Sequence, residues 1–392
     1  MIQEVRFPTP IPQMFQEDLE RHMFYISERI ERFELMPGPA GIEGVWIDLD
    51  PDRDGAQDIE QKILAASGLY TARLPRRPPT RVWSNPTACA FDDSTFAEMT
   101  RRGIAFQAGP GLVALGEEFM AVMDAMDASI TRLVKTRFNA REYRYPTLIP
   151  AEIMQRGGYL RSFPQLIMFA ARLHSDYAVY TAAMQEDALD AYLQHMQPSG
   201  LCLPPTMCYH TYSQLSDSTL TAKPGRVITA KGKSFRFESK YEKNLERLWD
   251  FTIREIVFVG DQGFSWAERS RFMKETFQLI ESWGLGGYCE TASDAFFVDS
   301  SENDTAFTQR LMALKYELRL NIRPASTIAC ASFNLHNDFF GNTYNIRRPD
   351  GQPVRTACAG FGLERLAFAF FSQHGLDREA WPASVREALQ YQ

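Results

Sequence analysis

FRFESKYEKNLERLWDFTIRE, residues 235–255, is the stretch on which the fold turns. Phenylalanine and charge alternate over its first four residues, the period-two pattern of a strand. That pattern predicts Arg236 and Glu238 on one face, opposite Phe235 and Phe237. The polar run SKYEKNLE reads as a loop, and Arg247, Phe251 and Glu255 then follow at four-residue spacing on a returning strand. A hairpin is expected that displays a guanidinium, a carboxylate and an aromatic ring together. Taken alone it has an ordinary explanation, because a charged hairpin is usually a solvated sheet edge.

A second element, CAGFGLERLAFAFF, occupies residues 358–371 and reads as a Gly-rich strand entering a helix. Gly360 and Gly362 would let the backbone approach a ligand closely, and Arg365 would stand at the positive end of the helix, where anions are favoured. In this order and at this distance the two elements resemble motifs 2 and 3 of the class II aminoacyl-tRNA synthetases. The resemblance implies an ATP site in which Arg236, Glu238 and Arg365 are catalytic, Arg247 contacts the γ-phosphate and Phe251 stacks on adenine. Glu317, alternating with Lys315 on a strand, would contact Mg²⁺ carried with ATP, or else form a structural ion pair with an arginine. The residue types suit the chemistry: attack of a carboxylate on an α-phosphate concentrates negative charge, and a planar guanidinium can bond both anions and hold them in line.

Upstream, Leu112, Leu115, Phe119, Val122, Met123, Met126, Ile130 and Leu133 recur at three- and four-residue steps, predicting a long amphipathic helix from Pro110 to Phe138. With YRYPTLIP after it, this resembles motif 1, which implies a homodimer with Pro146 as the motif proline. Residues 165–196 are expected to be mostly helical. Strands are expected at 227–230, 234–237, 251–259, 314–320 and 327–331, with helices at 266–283 and 361–374. The mixture predicts an α+β architecture, an antiparallel sheet flanked by helices, for a catalytic domain over residues 91–392.

Residues 1–90 read as a separate small α/β module, with strands at 4–7, 31–35 and 44–49 and helices at 15–29 and 58–66. LPRRPPTRVWSNP, residues 74–86, reads as a linker. The module holds 10 Lys/Arg against 14 Asp/Glu, and the whole chain of 392 residues has a formal net charge of −7. Neither value suits a partner gripped through phosphates, so tRNA is disfavoured. No apolar run approaches the ~20 residues of a membrane span. Six scattered cysteines without a CxxC pair and an N-terminus lacking a basic-then-apolar signal point to the cytoplasm.

GGYLRSFPQ (157–165), ASFNLHNDFFG (331–341) and TACAGFGLER (356–365) narrow the resemblance to the amino acid:carrier-protein ligases, relatives of the atypical zinc-dependent seryl-tRNA synthetases. That resemblance spans about residues 105–376. It implies activation of glycine or alanine as the adenylate and transfer to the phosphopantetheine thiol of a carrier protein. It also implies a Zn²⁺ ion held by Cys208, Glu255 and Cys358, with a fourth position for the substrate amino group. Asn334 and His336 are candidate pocket groups, although His336 between aromatics equally suits a satisfied core residue. Asp294 matches an acidic position of the family, but Ala295 stands where a proline is expected. Two alternatives remain at this point: a seryl-tRNA synthetase-like enzyme using residues 1–90 to bind tRNA, and a non-catalytic synthetase paralogue.

Overall fold

A computed structural model describes residues 2–51, 58–71, 79–87, 94–238, 243–292, 314–324 and 326–389. The described residues up to 71 form one compact unit, and those from 79 onward form nearly all of a second. Cys89 and Asp294 lie outside the described residues.

In the small unit, β1 (Ile2–Ile11), β2 (Ile30–Gly38) and β3 (Gly41–Leu49) form an antiparallel sheet in the order β1-β3-β2. Val5, Val45 and Ile47 are buried with Leu19 of the Gln16–Met23 helix and Ile63 of the Ile59–Thr71 helix. The turn between β2 and β3 needs a glycine at Gly41, which has φ +126° and would place a Cβ 2.3 Å from the Ile11 carbonyl oxygen. The first helix ends at Met23, earlier than the expected Arg29.

In the large unit, β4 (Arg81–Asn85) is followed by a hairpin of β5 (Ala105–Gly109) and β6 (Leu112–Leu115), then by β7 (Arg141–Tyr143). Next come β8 (Ile149–Pro150), β9 (Met168–Leu173) and β10 (Met196–Leu203), a small antiparallel sheet of its own. The main sheet is completed by β11 (Gly225–Phe235), β12 (Asp250–Gly260), β13 (Gly287–Thr291), β14 (Lys315–Arg323), β15 (Ser326–Asn337) and β16 (Arg355–Gly362). Its eight strands run in the order β4-β13-β14-β15-β16-β12-β11-β7, antiparallel throughout except for the parallel β7–β11 pair.

Helices Glu117–Phe138, Gln262–Ser282 and Leu363–His374 supply one core with Phe258, Phe333 and Phe361. A second core, containing Cys208, Tyr212, Val257, Phe340 and Cys358, includes residues of the short Cys208–Gln214 helix. Between the Glu117–Phe138 helix and the sheet, buried Arg254 donates to both carboxylate oxygens of Asp127, at 2.7 and 2.9 Å, and to Glu142 at 3.0 Å.

Four further expectations from sequence are corrected. The long helix begins at Glu117, because Leu112 and Leu115 belong to β6. Gly111, at φ +65°, turns the hairpin where a Cβ would meet the Trp249 ring at 2.3 Å. Residues 168–173 of the segment expected to be helical are a strand paired with β10. Arg81–Asn85, inside the stretch read as linker, pairs with β13 in the main sheet. Finally, the strand carrying FRFE ends at Phe235, so Arg236 and Glu238 do not share a strand face. Beyond Phe235 the Phe237 N–H leaves the ladder and donates to the Leu166 carbonyl at 2.9 Å.

Candidate active site

Antiparallel register aligns side chains across the face of the main sheet that carries the second core. One row runs Glu255, Gly360, Ser332, Glu317 and Glu290 across β12, β16, β15, β14 and β13; the next runs Val257, Cys358, Asn334 and Lys315. Glu255 and Cys358 therefore stand on adjacent strands, one pleat apart. Cys208, in the short helix after β10, brings its sulfur to them: the ligand atoms of Cys208, Glu255 and Cys358 all lie within 4.8 Å of one another. All three residues are buried, at 5%, 2% and 4% exposure.

Burial raises the Glu255 carboxyl to about 7, against hydrogen bonds from Thr206 and Cys358 and the charge of Arg236, which act to lower it. The Cys358 thiol is held well above its usual range by its hydrogen bond with Cys208, then by burial and the charge of Glu255. Glu255 and Cys358 are thus crowded where neither ionises readily by itself, an arrangement that a bound cation relieves. Two thiolates with one carboxylate suit zinc. Residue 360, opposite Glu255, is glycine: a Cβ there would meet Ile253 Cδ1 at 3.0 Å and fill the space 3.4 and 3.5 Å from the two Glu255 oxygens.

Polar neighbours surround the cluster. Thr206 Oγ1 donates to Glu255 Oε2 at 2.6 Å, and Asn334 Nδ2 donates to Cys358 Sγ at 3.5 Å. His336 Nε2 lies 3.7 Å from Cys358 Sγ, while its Nδ1 lies 3.3 Å from Thr356 Oγ1 and 3.4 Å from the Tyr212 hydroxyl. Asn334 and His336 thus both lie against a cluster thiol. Thr206 and Tyr212 were not singled out from sequence. Thr206 had only its place two residues before Cys208 to recommend it, and nothing local distinguishes Tyr212 from any core tyrosine.

The second group gathers around Arg365. Burial lowers the pKa of this arginine, Glu238 opposes the shift, and Arg247 and Arg236 add to it, so three guanidiniums and one carboxylate share a neighbourhood. Arg247 Nη1 is 3.4 Å from Glu238 Oε2, the Arg236 guanidinium lies 5.4 Å above the Phe251 ring, and Arg365 Nη1 donates to the Ala329 carbonyl at 3.3 Å. Glu364, beside Arg365, serves differently: its buried carboxylate accepts the Thr252 N–H at 2.8 Å and ties the helix start to β12. Glu317 is in an ion cluster, 3.2 Å from Lys315 Nζ and 3.5 Å from Arg319 Nη1. The Arg236, Arg247 and Arg365 guanidiniums, the first of them over the Phe251 ring, make a cluster that can bind a nucleotide polyphosphate.

The chain is 32% identical over 299 residues to amino acid–acyl-carrier-protein ligase 2 of Bradyrhizobium diazoefficiens, covering 76% of this chain and 86% of that one. The chain belongs to the amino acid–acyl-carrier-protein ligase family. A second such ligase of that organism is 34% identical over 248 residues, 63% of this chain and 75% of its own. The type-2 serine–tRNA ligase of Methanothermobacter thermautotrophicus is 23% identical over 340 residues, 84% of this chain and 66% of that one.

Among solved structures, this ligase resembles Methanopyrus kandleri SerRS in complex with A. aeolicus tRNASec. The TM-score is 0.70 at 19% identity over 100% of this chain and 77% of that one. It also resembles seryl-tRNA synthetase from Pyrococcus horikoshii complexed with ATP, with a TM-score of 0.57 at 13% identity over 85% and 79% of the two chains. The fold is therefore that of the class II synthetases. A scan against models of known protein families returned no match. Among the described residues no helix is long and apolar enough to cross a membrane.

Proposed function

We propose that this ligase activates a small amino acid, glycine or alanine, with ATP and passes it to the phosphopantetheine thiol of a carrier protein. In the first step a carboxylate oxygen of the amino acid attacks the α-phosphorus, the bond to pyrophosphate breaks, and an aminoacyl-adenylate forms. In the second the thiol sulfur attacks the carbonyl carbon, losing its proton, and AMP leaves.

The observation that carries this reading is a physical link between the two groups of residues. Arg236, of the arginine group, donates from Nε to the Pro205 carbonyl at 3.1 Å, and the next residue, Thr206, donates to Glu255 of the Cys/Glu/Cys cluster. The proposed phosphate-binding arginines and the Cys/Glu/Cys set are thus joined by two adjacent residues, which supports a reaction between a nucleotide phosphate and an amino acid held at the two groups.

Arg236 would bond the carboxylate and α-phosphate together, Arg247 and Arg365 would hold the outer phosphates and the base, and Phe251 would face the adenine. Glu238 would orient adenine or amino acid, and Glu317 would assist the Mg²⁺ that accompanies ATP. Cys208, Glu255 and Cys358 would hold zinc, which when bound offers a further position to the substrate amino group and so separates amino acids from other acids. Asn334 and His336 would line the space beside Cys358. The Glu117–Phe138 helix and the segment around Pro146 would form a homodimer contact.

The test is incubation with a phosphopantetheinylated carrier protein, ATP and radiolabelled glycine or alanine. Acid-stable, thiol-labile label on the carrier is expected. Label on tRNA with none on carrier would overturn the reading in favour of a seryl-tRNA synthetase-like activity, the second reading supported by the relative matched over 84% of this chain.

A further inference from the structure

Pro204–Cys208 is a five-residue link from β10 to the Cys208–Gln214 helix, and two of its polar contacts go to site residues, one in each group. The Pro204 carbonyl accepts the Phe235 N–H at 2.8 Å, and the Pro205 carbonyl accepts from Arg236 Nε at 3.1 Å. The Thr206 hydroxyl donates to Glu255 Oε2 at 2.6 Å and stands 3.7 Å from Cys208 Sγ. Met207, fully buried, fills the space above Gly232 of β11, where a Cβ would meet its Sδ at 2.8 Å. The link is therefore pinned to the strand that precedes Arg236.

Thr206 has one hydroxyl proton, and the short distance assigns it to the carboxylate. A charge-assisted bond of this length fixes the rotation of the Glu255 carboxyl group. It also takes up one lone pair of Oε2, which biases ligation toward Oε1. A buried carboxylate without such a partner could turn both oxygens to a cation and close the position that substrate needs. Outer partners of this kind orient metal ligands and are worth about 10–100-fold in affinity.

We infer that Thr206 is a positioning residue that holds Glu255 as a one-oxygen ligand, and that the Pro204–Cys208 link sets metal ligation and phosphate binding in one register. The inference rests on the Cys/Glu/Cys cluster binding a metal. Its test uses the full chain, stripped of metal and titrated with Zn²⁺ against a chromophoric chelator, for the wild type, Thr206→Val and Thr206→Ser.

The expected result is one tight equivalent for the wild type, binding weakened about 10–100-fold in Thr206→Val, and recovery to within about threefold in Thr206→Ser. In metal-saturated enzyme, pyrophosphate exchange with Thr206→Val is expected to show a raised KM for the amino acid at an unchanged KM for ATP. A purely structural threonine would not separate those two constants. Thr206→Val binding Zn²⁺ as tightly as wild type overturns the inference and leaves the proposed function standing. Thr206→Ser as impaired as Thr206→Val also overturns it, by assigning the effect to the lost methyl. A wild type that takes up no Zn²⁺ removes the metal reading itself, and this inference with it.

Discussion

Cys358 sits at the meeting of the two site elements, on the Gly-rich strand and within reach of Cys208 and Glu255, so its replacement tests the cluster most directly. Loss of an outer partner costs about 10–100-fold in metal affinity, and loss of a ligand should cost more. Cys358→Ser is expected to lose bound zinc on dialysis, read by elemental analysis, with the amino-acid KM rising in parallel. Full zinc content would refute the ligand role. Arg236 stands between the groups, and Arg236→Ala should slow amino-acid-dependent pyrophosphate exchange by about 10²–10³-fold, the usual effect of removing one preorganised donor to developing charge. Wild-type exchange would discredit it.

His210, two residues beyond Cys208, makes a prediction about pH. It is 7% exposed, stacks on Tyr145 at 5.3 Å, and its Nε2 has no hydrogen-bond partner among the described residues; burial pulls its pKa down to about 4. Between that value and the ~6.5 of the unfolded chain, the unfolded state binds the extra proton. Stability should therefore be fully present above about 6.5 and fall by up to about 3 kcal/mol as pH drops toward 4. His210→Gln should flatten that part of the profile in denaturant melts; an unchanged slope would show that other groups cause it.

At the scale of elements, the Glu117–Phe138 helix is held by more than its apolar stripe. Arg254 is 2% exposed and Asp127 4%, and Lys231 adds a contact of 3.1 Å to the same carboxylate. Removing Arg254 leaves the buried Asp127 carboxylate with its Lys231 contact alone, so Arg254→Met should destabilise the protein by up to about 3–5 kcal/mol, the cost of breaking a buried pair. Adding Asp127→Leu should recover a large share of that loss, measured as denaturant midpoints. A double variant no better than the single would show that the stranded Asp127 charge does not cause the loss. The helix itself was readable as a stripe of three- and four-residue steps. Its start was not, because Leu112 and Leu115 keep the helical spacing while belonging to β6; the deciding feature is Gly111 turning under Trp249, 138 residues further along the chain.

At the scale of the molecule, the two units have separate cores, and the described site residues all lie in the larger one. Ile47 is buried in the smaller core, and Ile47→Ala should cost that unit about 2–5 kcal/mol. Amide exchange is expected to quicken within residues 2–71 while pyrophosphate exchange stays within about twofold of wild type; a large loss of activity would show that the small unit supports the chemistry.

The sequence alone determined the elements whose evidence is local. The four-residue spacing of Arg247, Phe251 and Glu255 placed a strand where β12 lies, the Gly-x-Gly step before LERLAFAFF placed a strand running into a helix at β16, and the resemblance to a known family named Cys208, Glu255 and Cys358 as a set. Local evidence suffices for the two elements because backbone period and residue chemistry act within a few positions. Only the tertiary structure decided that the three ligand atoms meet within 4.8 Å, that FRFE leaves its strand after Phe235, and that Thr206 holds the carboxylate. Each of these depends on the register of non-adjacent strands and on the seating of the Pro204–Cys208 link over Gly232. Such long-range packing leaves no periodic trace in the chain.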